Sequence, residues 1–210
     1  MKKLLVLLVA LFSLFMLSGC EKATKSGNYI VFFPSYQYLE MVSSAIEDST
    51  YELIVQKNTM SEEERLEIIN KFKNTTNCKV GLFVMGGIFS EGIDFIGDSL
   101  NGVIIVGVGL PLICDENNIL KDYFDKNGRD GYKYAYMYPG MNKVLQACGR
   151  VIRTETDRGV ILLLDERFLE KEYEKLYPRE WNKIFVANMN SVSTVLDDFW
   201  NDKWCAVYKI

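Results

Sequence analysis

The chain has 210 residues, 49% of them apolar, a formal charge of −4 and no histidine. That is enough apolar matter to bury one sizeable core, and the acidic total argues against a strong stand-alone nucleic-acid binder while leaving room for a local basic face. The absence of histidine excludes imidazole acid-base chemistry, Ser-His-Asp triads and His-ligated metals, and the cysteines at 20, 78, 114, 148 and 205 include no C-x-x-C pair from which a zinc site or iron-sulfur cluster could be read.

Lys2 and Lys3 precede a run from Leu4 to Leu17 that is apolar except for Ser13. It is short for a membrane span and matches the apolar region of a secretory signal. Leu17-Ser18-Gly19-Cys20 closes the run and resembles a bacterial lipobox, which implies lipidation of Cys20 and a possible membrane anchor for the mature chain. A buried first helix that ends in cysteine is the other reading. Residues 1–20 are therefore assigned to a lipoprotein-like signal segment, 21–28 to a polar linker and 29–210 to one folded domain.

Tyr29 to Phe33 is a continuous apolar, β-branched run of the kind buried on both faces of a parallel sheet. Pro34 ends it and Ser35 is a good N-cap, so a helix is expected from about Tyr36 to Glu47; such a helix end can hold a phosphate, although most such turns hold nothing. Glu52 to Gln56 makes a second strand. Ser61 to Glu64 reads as a capping box opening a helix through about Lys73, with Leu66, Ile69 and Phe72 inward. Lys79 to Met85 is a third strand, running into Gly86-Gly87-Ile88-Phe89-Ser90-Glu91-Gly92-Ile93-Asp94, where glycines permit a tight backbone and Ser90, Glu91 and Asp94 offer a hydroxyl and two carboxylates. Gly102 to Val106 is a fourth strand with a sharp exit at Gly109-Leu110-Pro111. A helix over Asp115 to Lys126 and a turn at Asn127 to Gly131 follow. Tyr132, Tyr134, Tyr136 and Tyr138 alternate as in a base-stacking strand or, the preferred reading, as half-buried packing. Pro139-Gly140 restarts the chain into a central helix, Gly159 to Leu164 is a fifth strand, and a helix from about Ser191 sets Val192, Val195, Leu196 and Phe199 at core spacing. Strands alternating with helices predict an α/β fold, a parallel sheet with helices on both faces, whose ligands sit beyond the strand carboxyl ends.

The central helix carries Gln146, Arg150 and Arg153 at i, i+4 and i+7, which share one helical face if the segment stays helical to 153. Val144, Ala147, Cys148, Val151 and Ile152 form an apolar stripe opposite. Gly149, a poor helix former, lies between the polar groups. An ordinary core helix also presents such a polar face to solvent, but two planar guanidiniums side by side suit phosphate recognition.

Taken together, Phe32-Phe33-Pro34-Ser35-Tyr36, the Gly86 to Asp94 loop, Gln146 to Arg153, and Asp157-Arg158-Gly159 through Phe168 resemble, in order, motifs of the second motor domain of XPD-like or DinG-like superfamily 2 DNA helicases. The resemblance runs from about Gly27 onward and includes Tyr177-Pro178 and Trp181. It implies a RecA-like domain of P-loop NTPase type that faces ATP and Mg²⁺ held by a first motor domain, either in a full-length parent or as a separate partner. It implies further that Arg150 and Arg153 act as arginine fingers with Gln146 orienting them, and that Glu91, Gly92 and Asp94 lie toward the nucleotide. On the same basis Ser35, Tyr36, Gly87 and Ser90 lie toward the backbone of single-stranded DNA. The sequence departs from the whole helicase in having no G-x-x-x-x-G-K-[ST] loop and no D-E-A-H box. The family's iron-sulfur cysteines belong to that other half, so no cluster is expected here.

A lipid anchor and a helicase half imply different compartments, the membrane surface and the cytoplasm. Three explanations compete: a truncated or fused gene, preferred because the signal joins an undamaged body; a cytoplasmic half-motor that pairs with a separate first domain; and an exported, lipid-anchored, non-enzymatic binding module that keeps an inherited fold.

Overall fold

The computed structural model describes residues 27–46, 51–73, 77–91, 100–152, 157–181, 184–188, 190–202 and 206–209. Residues 1–26, which include Cys20 and the stretch read as a signal, lie outside them. In chain order the elements are β1 (Asn28–Phe33), α1 (Tyr36–Ser43), β2 (Glu52–Val55), α2 (Glu62–Lys73), β3 (Lys79–Val84), α3 (Ile88–Glu91), β4 (Gly102–Val106) and α4 (Asp115–Lys126). A π-helical segment (Lys133–Met137) then leads into α5 (Tyr138–Cys148), followed by β5 (Val160–Leu164), a 3₁₀ turn (Glu166–Leu169), α6 (Lys171–Glu174), β6 (Ile184–Val186), α7 (Val192–Asp202) and β7 (Ala206–Lys209).

Among the described residues the seven strands form one sheet in the order β2-β3-β1-β4-β5-β7-β6, and every neighbouring pair is parallel. β1, β3 and β4 are buried along their whole length, which is what continuous runs such as Tyr29 to Phe33 require of a sheet covered on both sides. Alternate side chains feed two cores. Ile30, Phe32, Phe83, Ile105 and Ile161 meet Phe72 of α2, Phe89 of α3, and Met141, Val144, Ala147 and Cys148 of α5. Tyr29, Val31, Phe33, Leu82 and Ile104 meet Leu39 and Val42 of α1 and Val192, Leu196 and Phe199 of α7. The expected α/β architecture is the one observed.

Local signals set several boundaries. Ser35 caps α1, its hydroxyl accepting the Tyr38 N–H at 3.2 Å. The capping box at α2 is reciprocal: Glu64 Oε2 accepts the Ser61 N–H at 2.8 Å and Ser61 Oγ accepts the Glu64 N–H at 3.2 Å.

Three expectations need correction, on Asn28, Leu66 and Pro139. Asn28, assigned to the linker, is a buried β1 residue whose Nδ2 donates to the Phe72 carbonyl at 2.8 Å. Leu66, expected inward, is 52% exposed, and Ile68 with Phe72 faces the core instead. The alternating tyrosines pack on one another, as the preferred reading has it, and form no base-stacking strand. They are helical, because a spacing of two is also half of four: Tyr132 stacks on Tyr136 at 5.8 Å and Tyr134 meets Tyr138 edge-on at 5.2 Å. Nor does Pro139 restart the chain, since α5 continues straight from the π segment, whose wide turn (Tyr138 N–H to Lys133 carbonyl) falls where the proline ring would crowd the preceding turn. α4 lies where expected yet buries none of its residues, leaving Ile119 and Tyr123 exposed at 69% and 60%.

Phe83 is fully buried, stacked on Phe89 with ring centroids 4.3 Å apart and in tilted contact with Phe72 at 5.9 Å. Urea unfolding should show Phe83→Ala losing about 3–5 kcal/mol, whereas Leu66→Ala should stay within about 0.5 kcal/mol of the parent chain.

Candidate functional site

With the central strands apolar on both faces, polar groups collect where the strands end. At the carboxyl edge of the sheet the turns after β1, β2, β3, β4 and β5 bring together Pro34-Ser35-Tyr36, Gln56, Met85 to Glu91, Gly107 to Gly109, and Asp165 to Arg167.

Gln56 ties three of these elements together. Only 4% exposed, it accepts the Val84 N–H on Oε1 at 2.9 Å and donates from Nε2 to the Tyr36 hydroxyl at 2.7 Å. The end of β3 and the start of α1 are thus fixed to each other by one amide. The sequence showed Gln56 only as the last residue of an apolar run; the usable signal was a polar side chain placed at the edge where ligands of such sheets sit. Gly87 stands beside it, and a Cβ there would lie 3.1 Å from the Val84 carbonyl oxygen and 3.4 Å from Gln56 Nε2. Gly86 turns the chain with φ +70°, which favours glycine. Ser35 is exposed and Tyr36 half-buried on the same edge. Ser90, expected to reach toward DNA, is fully buried, and its hydroxyl donates to the Gly87 carbonyl at 2.8 Å, closing the glycine turn. Glu91 ends α3; its side chain, with Gly92 and Asp94, lies outside the described residues.

The helix carrying Gln146 stops sooner than expected. α5 ends at Cys148, with Gly149 as C-cap. Beyond it the Arg150 N–H bonds to the Ala147 carbonyl at 3.2 Å and the Val151 N–H to the Cys148 carbonyl at 3.1 Å, a tightening turn in place of further α-helix. The low helix propensity of Gly149 accounts for the stop. Gln146 is therefore exposed on α5 while Arg150 stands in the turn beyond it, so these two do not share one helical face. Arg153 lies outside the described residues. The apolar support does exist: Val144, Ala147, Cys148 and Val151 are buried and Ile152 packs against them. Burial pushes the Cys148 thiol far above its ordinary range, so it is an inert packing group.

Arg150 is anchored by a contact across the fold. Its Nε donates to the Ser90 carbonyl oxygen at 3.0 Å, joining residues sixty apart in sequence. Gly159 secures the same turn from beneath, because a Cβ there would collide with the Val151 side chain. Arg158 turns away toward α7, donating to the Phe199 carbonyl at 3.0 Å and lying over that ring. Asp165 caps the 3₁₀ turn and holds Arg167 through contacts of 2.8 and 2.7 Å. Burial raises the Asp165 carboxyl, but the Arg167 hydrogen bonds and charge outweigh it and hold the group below its ordinary range. Burial and the nearby Asp165 charge together push the Tyr38 hydroxyl up. Among the described residues no three His, Cys, Asp or Glu side chains stand together as a metal site.

The chain is similar to known proteins. Residues 19–184 match the model of the helicase C-terminal domain family. The chain is 30% identical over 175 residues to a probable ATP-dependent helicase of Methanocaldococcus jannaschii, covering 71% of this chain and 26% of that protein. It is 32% identical over 155 residues to the ATP-dependent DNA helicase DinG of Photobacterium profundum, covering 70% and 21%. It is 33% identical over 168 residues to the XPD/RAD3 helicase subunit of general transcription and DNA repair factor IIH of Saccharomyces cerevisiae, covering 74% and 21%. A solved XPD helicase superposes with a TM-score of 0.63 at 25% identity, over 81% of this chain and 29% of that one; an XPD apo structure does so with 0.61 at 26%, over 79% and 33%. The chain thus spans about a quarter of the length of the M. jannaschii relative and about a fifth of the other two.

If Gln56 is the clamp described, Gln56→Leu strands the Val84 N–H and should cost about 1–3 kcal/mol in urea unfolding, against about 0.5–1.5 kcal/mol for Tyr36→Phe. The double variant should cost less than the sum of the two, since the pair shares one hydrogen bond.

Proposed function

The chain belongs to the helicase C-terminal domain family of XPD- and DinG-type helicases, and from that premise we propose that it works as the second motor domain of an ATP-dependent DNA helicase. Its task in this reading is to present arginine to ATP that a first motor domain binds, while the same sheet edge holds the backbone of single-stranded DNA. The observation that carries the proposal is the Arg150 Nε to Ser90 carbonyl bond, which joins the glycine loop after β3 to the turn after α5 at the carboxyl edge.

Arg150 and Arg153 are the arginine fingers and Gln146 orients them. With Nε committed to Ser90, the guanidinium of Arg150 is pre-oriented, so little freedom is lost when it meets a phosphate. The buried stripe from Val144 to Val151 supports it. A guanidinium stabilising the charge that develops during phosphoryl transfer is worth about 10³ to 10⁵ in rate. Glu91, Gly92 and Asp94 lie on the nucleotide side of the loop. Ser90 acts through the backbone it holds rather than as a DNA contact. Ser35, Tyr36 and Gly87 position the DNA backbone without reading sequence.

These residues fit the terminal phosphates of ATP and not its metal. Mg²⁺ and the phosphate cradle belong in this reading to the first motor domain, because the 210 residues hold no Walker loop. ATP when bound supplies the phosphoryl transfer, and this chain supplies positioning and positive charge. Alone, the 210 residues neither hydrolyse ATP nor unwind DNA.

A second reading rests on Lys2-Lys3 and Leu17 to Cys20: an exported module anchored through a lipid on Cys20, with the fold inherited and no catalysis. It requires palmitate on Cys20 and no nucleotide-dependent binding.

ATPase assays test the first reading. The purified chain should show no turnover alone. Combined with a Walker-loop motor domain taken from one of the relatives it should support turnover, and Arg150→Ala should lower that rate about 10³-fold or more. Turnover by the chain alone that Arg153→Ala abolishes would contradict the proposal.

A further inference from the structure

Lys143 stands at the same sheet edge with no role yet assigned. It lies on α5, one turn before Gln146, and its stem crosses two glycine turns. Its Cδ and Cε are each 3.2 Å, and Nζ 3.6 Å, from where a Cβ on Gly86 would lie, and its Cβ is 3.7 Å from the corresponding point on Gly109. Both glycines have positive φ, +70° and +63°, so each turn is tight and neither carries a side chain that would lift the lysine away. The stem is thereby packed along backbone, and the residue is half-buried.

Among the described residues the charge of Lys143 has no counterpart. Lys57, Lys71, Lys121, Lys133 and Lys175 each pair with a carboxylate; Lys143 makes no such pair with any described residue. A lysine held on a glycine bed at the ligand edge of a parallel sheet, with no described carboxylate paired to it, is suited to an incoming anion. Gly86, on which it rests, adjoins Gly87, and Gly87 adjoins the Gln56 amide that holds the Tyr36 hydroxyl. Arg150 stands in the turn beyond the end of α5 with its Nε on the Ser90 carbonyl, whereas Lys143 lies over Gly86 and Gly109.

We infer that Lys143 contacts a backbone phosphate of single-stranded nucleic acid running past Gly86, Gly87 and Tyr36, and that it is a separate anion contact from the arginines. This rests on the helicase reading given above. The contact is to phosphate, so it positions the strand and carries no base preference.

The test is the salt dependence of binding to a fluorescent oligo-dT, followed by anisotropy on the full chain and on Lys143→Gln and Lys143→Arg. A lost phosphate contact on a single strand should reduce the slope of log K against log salt by about 0.7 in Lys143→Gln, equally for oligonucleotides of other sequence, while Lys143→Arg keeps the parent slope. Parent and Lys143→Gln chains that bind with the same slope would overturn the inference and leave the helicase reading standing. A parent chain that binds no oligonucleotide would overturn both. Loss of ATP binding in Lys143→Gln, in the presence of a first motor domain and with oligonucleotide binding unchanged, would move Lys143 to the nucleotide and also overturn it.

Discussion

A parallel strand buried on both faces has no side chain to give to chemistry. β1, β3 and β4 are buried from end to end, and that constraint decides where everything else in the molecule stands. The apolar side chains of the sheet are consumed by the two cores, so polar and charged groups can meet only in the turns. At the carboxyl edge the turns are short and rich in glycine, which lets backbone carbonyls, one amide and a few long cationic side chains come close together. The site is thus a by-product of how the core is covered.

Two cross-links make that edge a single piece. Gln56 fixes the start of α1 to the end of β3, and Arg150 fixes the turn after α5 to the loop after β3. One takes hold at Val84, just before the glycine turn, and the other at Ser90, just after it, so the Gly86 to Ser90 segment lies between the two. A displacement of the arginine turn must be felt by the glycine loop, and through Gln56 by the turn that starts α1. In the proposed role this coupling would carry a change at the nucleotide to the nucleic-acid strand. Rigid coupling of packed elements is the physical basis for such transmission.

What could be read from the sequence was what local chemistry decides. The Ser35 cap, the Ser61–Glu64 box and the buried strand runs depend on neighbours within a few residues, and each stands where it was expected. What could not be read depended on partners far along the chain. Gly149 stops α5 where the apolar periodicity alone continues to Ile152, and Arg150 then finds Ser90, sixty residues away. Leu66 and Ile68 are both plausible core residues by spacing, and only the position of the sheet selects Ile68. The tyrosines at 132 to 138 satisfy a period of two and an i, i+4 pairing equally well, and the π turn ahead of Pro139 settles the matter. Gln56 and Lys143 carry no motif at all; their significance comes from the glycines beside them. Arg153, Gly92 and Asp94 lie outside the described residues, and their roles are those proposed from the family resemblance; Cys20 also lies outside them, and its role is the one proposed from the lipobox-like tetrapeptide.

The central claim is that the anchored guanidinium of Arg150 serves a phosphate delivered by another domain. It is tested most directly by a structure of this chain assembled with a Walker-loop motor domain, Mg²⁺ and a non-hydrolysable ATP analogue. The account predicts that Arg150 keeps its Nε on the Ser90 carbonyl and brings a terminal nitrogen within about 3 Å of a γ-phosphate oxygen. An Arg150 turned away from the nucleotide, with the phosphate met by Arg158 or by no arginine of this chain, would contradict it.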